Sequence, residues 1–344
     1  MNEEEEEIDI SQDEEAGLYE HYRIVTDPGQ SLMRLDKFLS ARLPNASRNK
    51  IQIGIENGLI TVNEKPAKSN YQIKPGDVIS VNLPHPPRNE ELIPEDLPLD
   101  IVYEDEYLLV VNKAAGMVVH PAHGNWDGTL VNGLLHYINI GLPVGKEPLR
   151  PGLVHRIDKD TSGLLLIAKE EVCMMKLAKQ FFDHTVERTY YALVWGHPEP
   201  ANGTISQRLT RSPKDRRITE VTQKEEAGKH AITHYKTLEK FSYTTLIQCN
   251  LETGRTHQIR AHMKWLGHSL FSDEVYGGRA VMKGPSFNKY KAFVENAFQI
   301  CPRQALHAKS LGFTHPVTNE RLQFDSELPP DMAALVDKWR KYEP

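Results

Sequence analysis

The sequence predicts an α+β protein built as a small N-terminal domain ahead of a larger one. Three observations carry this. The 344 residues are too many for one average domain and comfortable for two unequal ones. Residues 84–98, PHPPRNEELIPEDLP, are rich in proline and charge and lack periodicity, so they read as a linker. On either side lie different compositions: a short basic segment at 33–83, and a long stretch at 99–335 in which strand and helix signals alternate.

The chain begins with an acidic run. Residues 1–20 hold ten Asp and Glu and no Lys or Arg, so setting them aside turns the net charge of −6 into +4 for residues 21–344. Residues 1–22 are expected to be a disordered acidic tail, because such a composition cannot bury enough apolar surface to offset chain entropy. Such a run is either a solvated leader with no role of its own or a polyanion that competes with other polyanions for the basic surface of the body, and composition leaves both open. The N-terminus lacks the basic-then-apolar order of a targeting signal, and the longest apolar runs, such as Leu164 to Ala168, fall far short of a bilayer span. A cytoplasmic protein with no membrane contact is expected, and a monomer is the default. The three cysteines, Cys173, Cys249 and Cys301, are scattered and form no CxxC pair, which argues against a disulfide framework and a thiolate zinc site.

In the basic segment, Leu35, Phe38, Leu39 and Leu43 share one helical face. Ser47 caps a second helix, SRNKIQIGIENG, which Gly58 ends. LITVNEKPA then reads as a strand into a tight turn, and IKPGDVISVNL as a turn into a strand. Residues 33–82 carry eight Lys and Arg against four acids, a footprint suited to a phosphate backbone. Arg34, Lys37, Arg48 and Lys50 are the candidate RNA contacts. The order RLDKFL, P-x-x-SR, Gly58-Leu-Ile-x-Val-Asn and PGD resembles the S-four-like RNA-binding domain named after a small-subunit ribosomal protein. The sequence departs from that family at Ile53-Gly54, where a basic residue is usual, and a mid-helix glycine costs about 1 kcal/mol against alanine.

Three stretches carry the chemistry. In GLVHRIDKDTSGLLLIAK, residues 152–169, Val154 and the run Leu164 to Ala168 read as two buried strands joined by the turn DKDTSG, with Asp158 at a strand end. Arg156, two residues earlier, points to the same side on an extended chain. A carboxylate and a guanidinium so placed are a salt bridge or a reactive site, and spacing leaves both open. In ETGRTHQIRAHMKWLGH a helix is expected from about Thr256 to Leu266, bringing Arg255, His257, Arg260 and His262 close together. The five-residue spacing of the two histidines is not the i, i+4 pairing of a helical zinc site, so no metal is expected. In RTYYALVWG, strand alternation sends Tyr190 and Tyr191 to opposite faces, one to the core and one to a cleft. A fourth stretch, QRLTRSPKDRRITEV, is read as a mobile basic arm closing over RNA, with Arg216 and Arg217 as contacts.

These stretches stand in the order found in the ribosomal large-subunit pseudouridine synthases. HRIDKDTSG resembles the catalytic motif of that family, RTYYALV its tyrosine strand and GRTHQIRAHM its arginine helix. VVNKAAGMVVHPA, RQALHAKSL and THPVTNERLQFDSELPPDM match further, and the N-terminal domain and the PPDM terminus resemble subfamily D. The resemblance implies a mixed, largely antiparallel sheet flanked by helices, with the cleft across its middle. It implies isomerisation of uridine to pseudouridine in large-subunit (23S) ribosomal RNA without a cofactor. By the same resemblance Asp158 is the catalytic carboxylate, Arg260 its basic partner, Tyr190 the tyrosine under the target base and Arg156 the residue that replaces the flipped nucleotide. Lys113-Ala-Ala-Gly, Ser269 and Ser272 depart from the usual Lys-Pro-Ala-Gly, Pro and Gly. A carboxylate can attack the sugar or take a proton from it; either role needs the ionised form, which an arginine beside it favours. The alternatives are a synthase acting on tRNA or another rRNA helix, and a non-catalytic ribosome-assembly factor.

Overall fold

The computed structural model describes residues 18–43, 46–84, 92–122, 125–138, 141–143, 150–215, 217–224 and 226–343. They fall into two compact units, which divide between residues 91 and 92.

The first unit contains β1 (Tyr19–Val25), β2 (Met33–Arg34), α1 (Leu35–Ser40), α2 (Arg48–Glu56), β3 (Ile60–Val62), β4 (Lys65–Pro66), β5 (Gln72–Ile73) and β6 (Val78–Leu83). Four strands form a sheet in the order β1-β6-β3-β4. Leu35, Phe38, Leu39, Ile51, Ile55, Ile73 and Ile79 form its core, so Leu35, Phe38 and Leu39 of the face read for the first helix are buried, while Leu43 lies beyond α1 and is partly buried. The Ser47 hydroxyl accepts from Lys50 N and caps α2. Asn63 and Glu64 turn β3 into β4 through positive φ angles of 51° and 63°. β1 corrects the expected extent of the tail. Tyr19 to Val25 pair along β6, from Tyr19 opposite Leu83 to Val25 opposite Val78, because this short segment supplies the backbone partner that the β6 edge needs. Residues 1–17 lie outside the described residues.

The second unit opens with a segment that was expected to be linker. Residues 92–97 instead dock on α3 (Leu130–Ile138), which follows β7 (Ile101–Glu104) and β8 (Leu108–Lys113). Asn132 Nδ2 donates to Ile93 O at 2.8 Å and Glu95 N donates to Asn132 O at 3.0 Å. Leu92 and Leu99 pack on the main core, which offsets the disorder that proline and charge suggest. Residues 85–91 lie outside the described residues.

The rest of the unit runs β9 (Ser162–Ala168), α4 (Glu171–Phe182), β10 (Glu187–Trp195), β11 (Asn202–Arg211), β12 (Thr219–Thr222), β13 (Lys229–Lys240), β14 (Thr244–Leu251), α5 (Gln258–Trp265), α6 (Asn288–Ile300), β15 (Leu306–Thr314), β16 (Arg321–Asp325) and α7 (Pro330–Arg340). A ten-stranded sheet orders them β12-β11-β13-β14-β10-β15-β9-β8-β7, with β16 beside β15. The pairings are antiparallel except β15 with β9, so the mixed, largely antiparallel sheet is present. Every residue of β9 is buried, as a central strand covered on both faces requires. α4 covers one face through Leu177, while α3 and α5 pack on the other through Leu130, Leu134, Ile259 and Met263. α6 and α7 enclose Trp195 and Phe271 in a second core, on which Tyr342 also packs, so the unit extends beyond the expected end at 335. No helix among the described residues is long and apolar enough to cross a membrane.

Candidate active site

The strand expected before Asp158 does not form. Leu153 makes a single bridge to Ile167, and residues 155–158 then run irregularly into the turn at 159–160 before β9. Arg156 is exposed on this segment and Asp158 is half-buried. The irregular path frees the carboxylate from the pleat, and the sheet still anchors the turn that follows. β9 starts hard against β15. At Gly163, with φ 116°, a Cβ would sit 2.2 Å from Ala308 O, so only glycine fits there.

Side chains from three distant motifs hold this turn. Lys113 Nζ is buried and donates to Ala114 O, Met117 O and Lys159 O at 2.7, 2.8 and 2.9 Å. Burial pushes its ammonium down to about 7. Arg303 Nη1 donates to Asp160 O at 2.7 Å, its Nη2 reaches Ser162 Oγ at 3.3 Å, and its Nε pairs with Asp331 Oδ2 at 2.7 Å. The stretches VVNKAAG, RQALHA and PPDM thus meet behind the residue that the first stretch offers as catalytic.

In front of Asp158 stands α5, which begins at Gln258 and not at Thr256, because His257 takes a left-handed conformation with φ 53° and breaks the run. Arg260 Nη1 lies 3.0 Å from Asp158 Oδ2. Its other edge makes a two-point pair with Asp273, Nε to Oδ2 at 2.7 Å and Nη2 to Oδ1 at 3.0 Å. The Tyr276 ring lies 4.8 Å from the guanidinium carbon. Burial works against the Arg260 charge, but the hydrogen bonds and charge of Asp273 outweigh it and push the guanidinium up. One arginine thus spans two carboxylates: Asp273 is fully buried and fixes it, while Asp158 keeps 19% of its side chain exposed.

Tyr190 on β10 takes the buried place of the tyrosine pair, packed in the main core, while Tyr191 is half-buried with Lys309 over its ring. Burial pushes the Tyr190 hydroxyl up, outweighing the opposing Arg188 guanidinium, and the nearby Asp158 charge adds to the rise. The basic arm is mostly sheet. Arg208 and Arg211 belong to β11, Arg208 donates to Ala227 O and Gly228 O, and Arg217 pairs with Asp215. Strand pairing with β12 leaves residues 212–215, 217 and 218 outside the sheet, and Arg216 lies outside the described residues.

In the first unit, Asp36 is fully buried and draws in Arg34 Nη2 at 2.9 Å, Arg48 Nε at 3.0 Å and Gln52 Nε2 at 2.7 Å. The Arg34 guanidinium holds the Asp36 carboxyl well below the usual carboxylate range. Two of the four proposed RNA contacts therefore double as partners of a structural carboxylate. Their side chains remain 41% and 52% exposed, as phosphate binding requires. Asp273, Tyr276, Lys113 and Arg303 are not among the site residues read from sequence, although Lys113 and Arg303 stand in the matching stretches VVNKAAG and RQALHA, and Asp273 and Tyr276 follow Ser269 and Ser272, where the sequence departs from the family. Among the described residues no group of three His, Cys, Asp or Glu could hold a metal ion.

Comparison with known proteins supplies an independent line. The RNA pseudouridylate synthase family matches residues 107–265, and the S4 domain matches residues 33–79. An uncharacterised RNA pseudouridine synthase of Chlorobaculum parvum is 47% identical over 313 residues, covering 90% of this chain and 95% of the relative. The ribosomal large subunit pseudouridine synthase D of Zymomonas mobilis is 44% identical over 307 residues, covering 88% and 92%. Among solved structures, human RNA pseudouridylate synthase domain containing 1 is 25% identical with a TM-score of 0.52, covering 69% of this chain and 87% of that one.

Proposed function

The chain belongs to the RNA pseudouridine synthases and carries an S4 domain, and from that premise we propose that it modifies uridines of large-subunit (23S) ribosomal RNA with Asp158 as its catalytic carboxylate. The reaction breaks the N-glycosidic bond, turns the uracil and rejoins it through carbon. It neither consumes nor releases water or redox equivalents, so it makes no demand for a cofactor. RNA is the substrate, and the relatives named synthase D support the large ribosomal subunit as its source.

The single observation that carries the assignment of Asp158 is its relation to Arg260. A guanidinium already locked to the buried Asp273 presents its remaining edge to a carboxylate that is still partly open. Such a pair is set before the substrate arrives and needs little reorganisation during reaction. In this reading Asp158 acts at the sugar, and Arg260 holds it in place and supplies positive charge opposite it. Tyr190 packs its ring against the extruded base. The exposed Arg156 fills the gap left in the RNA stack, offsetting the few kcal/mol that unstacking costs. Arg34, Lys37, Arg48 and Lys50 contact the phosphate backbone from the S4 unit, and Arg216 and Arg217 do so from the second unit. A monomer working in the cytoplasm is part of the same proposal.

The test is pseudouridine mapping by carbodiimide and reverse transcription on ribosomal and transfer RNA from cells lacking the gene, complemented with wild type or Asp158→Ala. Particular large-subunit uridines should lose the mark and regain it with wild type alone. Rescue by Asp158→Ala would remove the catalytic assignment, and loss confined to tRNA would move the substrate.

A further inference from the structure

His257 stands beside Asp158 and Tyr276 in this site. Its ring lies between two partners: Nδ1 is 3.1 Å from the Tyr276 hydroxyl, and Nε2 is 3.9 Å from Asp158 Oδ1. The ring meets Tyr276 edge-on, with centroids 5.7 Å apart, and its backbone is left-handed at φ 53°, a conformation that side chains other than glycine rarely adopt.

The sheet edge decides which nitrogen carries the proton. β12 pairs with β11 so that Arg211 faces Thr219, and beside them Ser212 N donates to Ile218 O. Antiparallel bonding alternates, so the backbone groups of Thr219 point away from β11. Both meet the Tyr276 hydroxyl: Thr219 N donates to it at 2.9 Å, and it donates to Thr219 O at 3.0 Å. Having spent its single proton there, the hydroxyl can only accept from His257, which therefore carries its proton on Nδ1. The reverse assignment would take the donor from a carbonyl in a buried residue, which costs about 1–3 kcal/mol. Burial, with Arg260 and Arg211 nearby, disfavours a second proton more than Asp158 and Asp273 favour it. Nε2 is left as a bare acceptor facing a carboxylate oxygen.

Two acceptors 3.9 Å apart leave room for a donor within hydrogen-bond reach of both. Asp158 acts at the sugar, so the sugar supplies that donor. Inside a polynucleotide the 3′ and 5′ oxygens are esterified, and the 2′-hydroxyl, one carbon from the bond that breaks, is the free hydroxyl. We propose that His257 Nε2 accepts a hydrogen bond from the 2′-hydroxyl of the target ribose, making His257 the residue that distinguishes a ribonucleotide at the catalytic carboxylate. The inference rests on the assignment of Asp158 given above. It ties RNA specificity to Tyr276 and the β12 edge, which set the tautomer.

The experiment compares a stem-loop RNA that the wild-type enzyme converts with the same RNA carrying 2′-fluorouridine at the target, which keeps the ribose pucker and removes the donor. Wild type should bind the ribose form about three- to tenfold more tightly, the worth of one hydrogen bond. His257→Ala should bind both forms alike, at the affinity of wild type for the fluoro form. Tyr276→Phe, which leaves Nδ1 without its acceptor, should lose discrimination in part. An equal loss on both RNAs in His257→Ala, or retained discrimination, overturns the proposal. Should His257→Ala fold poorly, His257→Gln, which keeps an acceptor, decides: binding both RNAs with equal weakness sinks the idea, and partial discrimination supports it. If wild type converts the RNA and Asp158→Ala does not, but discrimination ignores His257, this inference alone fails. If Asp158→Ala converts the RNA, the parent assignment fails.

Discussion

Arg260 can serve Asp158 only because Asp273 holds it from behind. The pair of hydrogen bonds to Asp273 fixes the plane of the guanidinium, and the third bond, to Asp158, follows from that plane. Asp273→Asn keeps the shape and removes the charge, leaving a buried guanidinium compensated on one side only. We expect unfolding free energy to fall by about 3–5 kcal/mol, read by denaturant titration, and turnover to fall with it; unchanged stability would mean that Asp273 is incidental to the site. Its neighbour Ser272 shows the opposite imbalance. It is buried, adopts φ 61°, and its hydroxyl has no hydrogen-bond partner. Ser272→Gly removes both the backbone strain and the unsatisfied hydroxyl, and should raise stability by about 1–3 kcal/mol in the same titration with activity intact. At this scale the sequence was legible where chemistry is concentrated in a motif. Asp158, Tyr190 and Arg260 stand out because each occupies a distinctive run. Asp273 and Tyr276 did not, because a carboxylate in a loop looks like any solvated acid until the fold shows that it faces an arginine thirteen residues earlier.

Elements followed the sequence where a one-faced stripe, a cap or an unbroken apolar run marks them, and departed from it where tertiary demands intervene. Leu35, Phe38 and Leu39 of α1 meet the core that their spacing implies, Ser47 caps α2, and the run Leu164 to Ala168 is buried on both faces as β9. The segment before Asp158 reads as a strand and is not one. Extended composition is only a propensity, and here the chain leaves the sheet after the Leu153–Ile167 bridge, with Leu166 N donating to the His155 ring instead of to a strand partner. Residues 92–97 fail in the other direction, since Leu92 and Leu99 have a core to reach that proline content does not reveal. Gly54 in α2 is a mismatch of propensity alone. A Cβ there would meet Ile60 Cδ1 at 3.4 Å, ordinary contact, so nothing in the packing demands glycine. Gly54→Ala should therefore stabilise the first unit by about 0.5–1 kcal/mol, seen as a higher thermal midpoint. A lower midpoint would show that the 3.4 Å contact cannot be accommodated.

For the whole molecule, charge is segregated along the chain. The protein carries a net −6, yet nine acidic residues fall within the first seventeen, and the body beyond them is basic. RNA affinity from phosphate contacts scales with the cations left free to make them, so a covalently attached polyanion is a standing competitor at high local concentration. Removing residues 2–17 should tighten binding to an unstructured RNA at low salt. The gain should shrink as ionic strength approaches 1 M, where the Debye length is about 3 Å and the tail no longer reaches the cations through solvent. Fluorescence anisotropy across a salt series, on the full chain and the truncated one, reads both. Parallel salt curves offset by a constant factor would point to a contact other than charge, and coincident curves would mean that the tail never visits the surface that binds RNA. A gain confined to low salt is the outcome that makes the N-terminal acids a brake on non-specific binding, leaving affinity to targets for which Arg156 and the S4 unit add contacts that the tail cannot imitate.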